Sequence, residues 1–341
     1  MRYALLIGLN AYPESPLKGC VRDVVEIQKR LEAMSGNISI EIFTASGKSD
    51  TDCIASTQDS EEWPSYTNVV ACLQKITGIA QAGDFVYIHY SGHGTTIERL
   101  DDDARESVRD LALVLLGVPE SGEMQYLRGW EMALLLRDMV NKGLIVTLVL
   151  DCCFSGSVVR KDPTVRYLEY DASIDAAYPS QLLGTVHHHD GPTYRTASLR
   201  ENWLLNPDGY TTLTACGPNE VAKELTLKDG GERHGALSYF LLRAFAKLGG
   251  VGGNQQQIYH HLCARFRDLR EKRLHEQTPM FYGNRDLSFF GLGDTRKRSN
   301  CIPVVVNADK SIRLEAGIAH GIAVRDVLEL KPLNFDTHSS S

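Results

Sequence analysis

The sequence holds eight cysteines in 341 residues but no C-x-x-C pair. Without that spacing neither a zinc site nor a dithiol redox motif is indicated, and the scattered thiols read as reduced cysteines, not a disulfide framework. Long apolar runs are also missing. "MRYALLIGLN", "LALVLLGV" and "LIVTLVL" all stop far short of the roughly 18 apolar residues of a membrane span, and the first reaches Gly8 and Asn10 too soon for a signal segment. The expectation is a cytoplasmic chain with no membrane partner. Basic charge is not in excess: 36 Lys and Arg stand against 43 Asp and Glu, a formal net charge of −7. That balance gives no basic stripe of the kind phosphate neutralisation requires, and so argues against a nucleic-acid partner. No internal repeat is present. With 43% apolar and 23% charged residues, the composition is that of an ordinary globular protein, long enough for one large domain with an appendage.

Apolar residues recur at helical spacing in five places: Val24 to Met34, Val69 to Ala80, Met132 to Met139, Leu237 to Leu248 and Ile258 to Leu269. Between them lie short β-like runs, "YALLIGL", "ISIEIFT", "DFVYIHYS", "LIVTLVL" and "YTTLTA". This alternation predicts an α/β fold, a largely parallel sheet with helices on both faces. Two stretches read as irregular: a charged loop over 95–110, and a long loop over 157–209 that carries four prolines and "HHHD". From 297 onward, "IPVVV" and "VRDVLELKP" read as a small C-terminal β appendage with a frayed tail. The expected organisation is therefore a domain over 1–296 containing the long loop, and a segment over 297–341.

In open α/β sheets, sites form outside the carboxyl ends of the strands. Two strands end here in reactive residues: "DFVYIHYS" runs into "GHG", which presents His93, and "LIVTLVL" runs into "DCC". A Cys and a His distant in sequence but meeting at adjacent strand ends are the parts of a nucleophile and base pair. Side chains two apart share a face of a strand and adjacent ones do not. Ser91 is thereby grouped with His93, and Asp151 with Cys153, while Cys152 points away and packs as a small apolar residue.

"YSGHG" and "DCCFSG" resemble the His and Cys motifs of the metacaspases, caspase-like cysteine peptidases. "LKGCVRDV" and "QTPMFYG" resemble two further segments of that family, and the longer segments look most like its filamentous-fungal branch. Phe154 departs from the pattern, standing where many relatives have His. The resemblance implies a caspase-like three-layer sandwich with a six-stranded, mostly parallel sheet. It implies peptide hydrolysis with Cys153 as thiolate nucleophile, His93 as acid and base, and an oxyanion hole from the N–H groups of Gly94 and Cys153. Asp23, Ser91 and Asp151 would line the pocket for the residue before the cut, which two carboxylates suit to Arg or Lys. The partners implied are protein or peptide substrates with Arg or Lys at that position. The family often cleaves itself after the nucleophile, where Arg160, Lys161, Arg166, Arg195 and Arg200 lie. The chemistry needs no cofactor, and the resemblance admits calcium as an activator near Asp101, Asp102 and Asp103.

Blander readings compete with several of these. The acidic run is by itself a solvated surface, and His187, His188 and His189 lack a convergent fourth ligand. Cys20, Cys53, Cys72, Cys216, Cys263 and Cys301 read as structural, as does His234. From another functional class, the chain could be a caspase-like regulatory module with weak or no proteolysis. Oligomeric state stays open.

Overall fold

The structure is a computed structural model, and it describes residues 1–34, 36–47, 61–100, 107–119, 121–154, 162–179, 209–226, 232–248, 255–271, 277–283, 289–291, 304–306 and 311–314. β1 (Arg2–Leu9) is apolar on both faces because both are covered. Tyr3, Leu5, Ile7 and Leu9 enter one core, whereas Ala4 and Leu6 enter a second on the opposite side. β1 pairs in parallel with β2 (Ile38–Ala45) and with β3 (Phe85–Ser91), and β3 with β7 (Ile145–Asp151). β8 (Thr211–Thr214) extends the parallel set, and β11 (Met280–Gly283) closes the edge antiparallel. The result is the expected mixed sheet of six strands, in the order β11-β8-β7-β3-β1-β2.

The five helices expected from periodicity are α1 (Cys20–Glu32), α2 (Tyr66–Ile79), α3 (Gly129–Asn141), α5 (Ala236–Lys247) and α6 (Gln255–Glu271). α2 and α3 cover one core and α1, α5 and α6 the other. Two helix starts show how the chain is held. At α2 the Ser65 hydroxyl accepts from Asn68 N at 3.2 Å, an ordinary N-cap. At α1 the cap residue is Gly19, which has no side chain to offer, so the Asn10 carboxamide oxygen accepts from Cys20 N at 2.9 Å instead. Asn10 follows directly on β1, so this bond ties the start of α1 to the strand end where the candidate site lies.

Two expectations need correction. The stretch 95–110 is not simply a charged loop. β4 (Gly94–Leu100) and β5 (Ser107–Leu116) pair antiparallel, and β6 (Met124–Arg128) joins them in a three-stranded sheet. The acids of 101–106, which lie outside the described residues, hid a hairpin whose apolar arm is "LALVLL". Nor is 157–209 irregular throughout. Residues 162–179 pack against the body, with Val165 and Arg166 buried, and include α4 (Ala172–Ala177). Elsewhere β9 (Glu224–Thr226) pairs with β10 (Arg233–Gly235). In the C-terminal segment β12 (Val304–Val306), within "IPVVV", pairs with β13 (Ile312–Leu314), whereas "VRDVLELKP" lies outside the described residues. Among the described residues no helix is long and apolar enough to cross a membrane.

Candidate active site

Register brings the predicted residues together. Ser91, last in β3, stands beside Asp151, last in β7, as a Cα pair. The period-two argument for the vicinal thiols holds: Cys152 belongs to the core that takes Leu148 and Leu150, and Cys153 to the opposite core with Val149. His93, two residues beyond β3, is held from three directions. Its N–H donates to Tyr12 Oη at 2.9 Å, its carbonyl accepts from Tyr90 Oη at 2.7 Å, and its ring lies 4.4 Å from the Tyr12 ring. The imidazole Nε2 is 2.8 Å from the Ser15 carbonyl. A carbonyl only accepts, so Nε2 carries the proton and Nδ1 keeps its lone pair. Nδ1 is buried and has no hydrogen-bond partner.

The centre of the site is filled by the chain itself. Arg166 is fully buried, and its guanidinium meets all three predicted pocket residues. Nη2 lies 2.9 Å from Asp23 Oδ2, and Nη1 lies 2.7 Å from Ser91 Oγ and 3.3 Å from Asp151 Oδ1. The Arg166 carbonyl accepts from Gly94 N and from Cys153 N, each at 3.1 Å. These are the two donors expected of an oxyanion hole. The flanking backbone runs as an added strand: Arg166 N donates to Ala222 O at 2.9 Å, Glu224 N to Thr164 O at 2.8 Å, and on the other side Leu168 N to Gly94 O at 3.0 Å. Residues 164–168 thus lie through the cleft with main-chain bonds on both sides of Arg166, the β-augmentation mode of peptide recognition. The close approach depends on Gly94, where a Cβ would strike the Cys153 carbonyl.

Burial sets the electrostatics. Desolvation pushes the Cys153 thiol up to about 12, with the Ala222 backbone and the Arg166 charge only partly opposing it. It draws His93 down to about 4, against the pull of the Ser15 carbonyl. The sequence led us to expect a thiolate at Cys153; with Arg166 seated, the sulfur is a protonated thiol with no exposed surface, because solvent is excluded from it. The two acids differ. Burial opposes ionisation of Asp23, but Arg166 and then His234 more than compensate, and its carboxyl lies below the usual value. For Asp151 burial prevails over Arg166, Asp23 adds repulsion, and its carboxyl lies above it.

Several contributors carried no signal of their own in the sequence. His234, expected only to pack, has Nδ1 3.0 Å from Asp23 Oδ1, and Gly235 N donates to Asp23 Oδ2 at 3.0 Å. Glu224 accepts from Gly19 N at 2.7 Å and lies 3.5 Å from Arg166 Nη2. The Ser15 carbonyl acts through the main chain, which no residue type announces. Arg160, Lys161, Arg195, Arg200, Asp101, Asp102, Asp103 and the three consecutive histidines lie outside the described residues. Among the described residues no group of three or more His, Cys, Asp or Glu could hold a metal ion.

A six-stranded mixed sheet with helices on both faces, and a Cys and a His just beyond adjacent strand ends, is the caspase-like fold. The family model of the metacaspase, peptidase C14 domain matches residues 2–161 of this chain. Metacaspase-9 of Arabidopsis thaliana is 28% identical over 82% of this chain and 93% of its own length. Metacaspase III c of the diatom Phaeodactylum tricornutum is 27% identical over 54% of this chain and 52% of its own, and metacaspase-1A of Aspergillus fumigatus 24% over 78% and 65%. The chain therefore spans about half the length of the diatom relative, and relatives of similar identity come from a diatom, a plant and a fungus alike. The crystal structure of protein GSU0716 from Geobacter sulfurreducens shares the fold, with a TM-score of 0.51 over 82% of this chain and 92% of that one, at 18% identity.

Proposed function

We propose that this protein is a cysteine endopeptidase that cleaves after Arg or Lys, with Cys153 and His93 as its dyad and its own Arg166–Tyr167 bond as a substrate in cis. The observation that carries this reading is Arg166, whose guanidinium sits among acids while its carbonyl faces two N–H donors. In the reaction, His93 Nδ1 takes the Cys153 proton and the sulfur attacks the Arg166 carbonyl carbon. Negative charge develops on an oxygen already bonded to Gly94 N and Cys153 N, where fixed donors are most effective. The proton then passes from His93 to the Tyr167 nitrogen, which leaves. Water, deprotonated by the same ring, releases the thioester. Seated in this way, Arg166 also holds the enzyme latent, because no second peptide fits until residues 164–168 withdraw. Calcium enters the proposal as an activator of that withdrawal.

The test compares full-length wild type with Cys153→Ala by mass spectrometry and N-terminal sequencing, with calcium or with chelator. The expected result is a wild-type fragment beginning at Tyr167 and an intact Cys153→Ala chain. Both chains intact in every condition, with no turnover of basic fluorogenic peptides, would instead favour a regulatory module.

Gly235 supplies a test of the pocket. A Cβ there would overlap Asp151 Oδ2 and the Arg166 guanidinium, although the backbone conformation itself suits any residue. Gly235→Ala should therefore overpack the pocket by about 1–3 kcal/mol, between about fivefold and a hundredfold in kcat/KM for an Arg peptide. Lys, with a narrower head, should lose less. Equal losses for both residues would place the clash elsewhere.

A further inference from the structure

Behind the pocket, away from the cleft, lies a buried polar chain that the reaction does not use. Asp151 Oδ2 accepts from Ser238 N at 2.8 Å and from Ser238 Oγ at 2.7 Å, at the start of α5. Ser238 Oγ is in turn 3.0 Å from His89 Nε2, and His89 Nδ1 is 2.7 Å from Tyr87 Oη. His89, Ser238 and Tyr87 have no exposed surface. Each direction follows from the one before. The Ser238 hydroxyl has one hydrogen, spent on the carboxylate, so toward His89 it can only accept. Nε2 therefore carries the imidazole proton. Burial draws His89 down to about 4, so the ring has only that proton, and bare Nδ1 accepts from the Tyr87 hydroxyl.

Resting on the reading of Asp151 as a pocket acid, we propose that His89 is a positioning residue for specificity: through Ser238 it fixes a hydroxyl donor on Asp151 and keeps that carboxylate ionised to receive a basic side chain. The pocket presents two carboxylates to one guanidinium, and Asp151 is the one whose ionisation is hard to sustain. Facing it are Arg166 from the cleft segment, Asp23 from α1, the Cys152 and Cys153 thiols of its own turn, and the Cys216 thiol after β8. Apart from Arg166 these groups are acidic or neutral thiols, so donors must do what cations do not. Without the His89 N–H donating to its oxygen, the Ser238 hydroxyl is no longer held in place and its bond to the carboxylate weakens, leaving the backbone N–H as the fixed donor.

A hydrogen bond to a charged group accounts for roughly tenfold in equilibrium. In the self-processed full-length enzyme, Ser238→Ala and His89→Leu should raise KM for an Arg peptide about tenfold at pH 6, and move the acid limb of kcat/KM up by about one pH unit. The sign follows because losing a donor raises the Asp151 pKa, so the pocket neutralises at higher pH. kcat should change little, since the reacting atoms are untouched. His89→Gln, whose amide nitrogen takes nearly the place of Nε2, should restore the limb, whereas His89→Asn, which mimics Nδ1, should not. An unmoved limb in Ser238→Ala while wild type cleaves, or His89→Gln as impaired as His89→Leu, overturns the proposal. A wild type that cleaves no basic peptide sinks the functional reading instead. The relay is then read from the carboxyl titration of Asp151 by carbon NMR in full-length Cys153→Ala, where the same upward shift is expected and an unmoved titration refutes it.

Discussion

Arg166→Ala, made in the uncleavable Cys153→Ala chain, should lower unfolding stability by about 3–5 kcal/mol, because removing one member of a buried ion cluster strands the others. Asp23, Asp151 and Glu224, all buried, lie within 3.5 Å of its guanidinium. At about 2 °C per kcal/mol, the melting temperature should fall by roughly 6–10 °C. Arg166→Lys keeps the charge but loses the fork that reaches Asp23 and Ser91 together, and should fall by less. The pH dependence distinguishes ion pairing from mere packing. With Arg166 present, the Asp23 carboxyl is depressed, so its contribution is present above the unfolded value of about 3.9 and is lost as pH falls below it. Without Arg166, burial drives the same carboxyl upward, and its penalty at neutral pH is relieved as pH falls through the raised value. The melting-temperature gap between the two chains should therefore narrow on acidification. A gap independent of pH would mean that the arginine contributes by filling space.

The sequence made legible what strand periodicity governs. Alternation located β1, β2, β3, β7 and β8, and placed the reactive residues at two adjacent carboxyl ends. The same period assigned Cys152 and Cys153 to opposite faces, and each lies in the core so assigned. The parts that stayed hidden are those where function runs through the main chain or through partners distant in sequence. Nothing in "KDPTVRYLEYD" marks Arg166 as buried: the stretch has no sustained periodicity, and the acids that receive it lie 143 and 15 positions away. Its role appears only when the pocket and the segment are seen together. Glu224, His234 and Ser238 follow the long loop, and reach the pocket only because β9, β10 and α5 fold back over α1 and β7. The pairing of β4 with β5 was obscured by the charged residues between them in sequence, since charge density is read as loop whether or not the flanking arms pair.

The pocket reading predicts its sharpest effect at Asp23. Asp23→Asn keeps the shape, but removes the charge from a side chain that takes Arg166 Nη2 at 2.9 Å, Ser91 Oγ at 2.8 Å and Gly235 N at 3.0 Å. All three donate to Oδ2, so the carboxamide keeps them only by turning its NH2 to the place of Oδ1, against His234 Nδ1 at 3.0 Å and Gly235 N at 3.3 Å. Truncating one member of a buried, hydrogen-bonded charge pair costs about 2–5 kcal/mol. The expected loss in kcat/KM for Arg and Lys peptides is therefore between about 30-fold and about 4000-fold. The loss should be selective, because the His93 ring is held by Ser15 and Tyr12 and not by Asp23. A peptide with Met before the cut, poor for wild type, should be no poorer for the variant. Kinetics on Arg, Lys and Met peptides of one sequence decide the matter. A uniform loss across the three would move Asp23 from substrate selection to support of the fold, and would leave Arg166 as a structural ion whose likeness to a bound substrate is incidental.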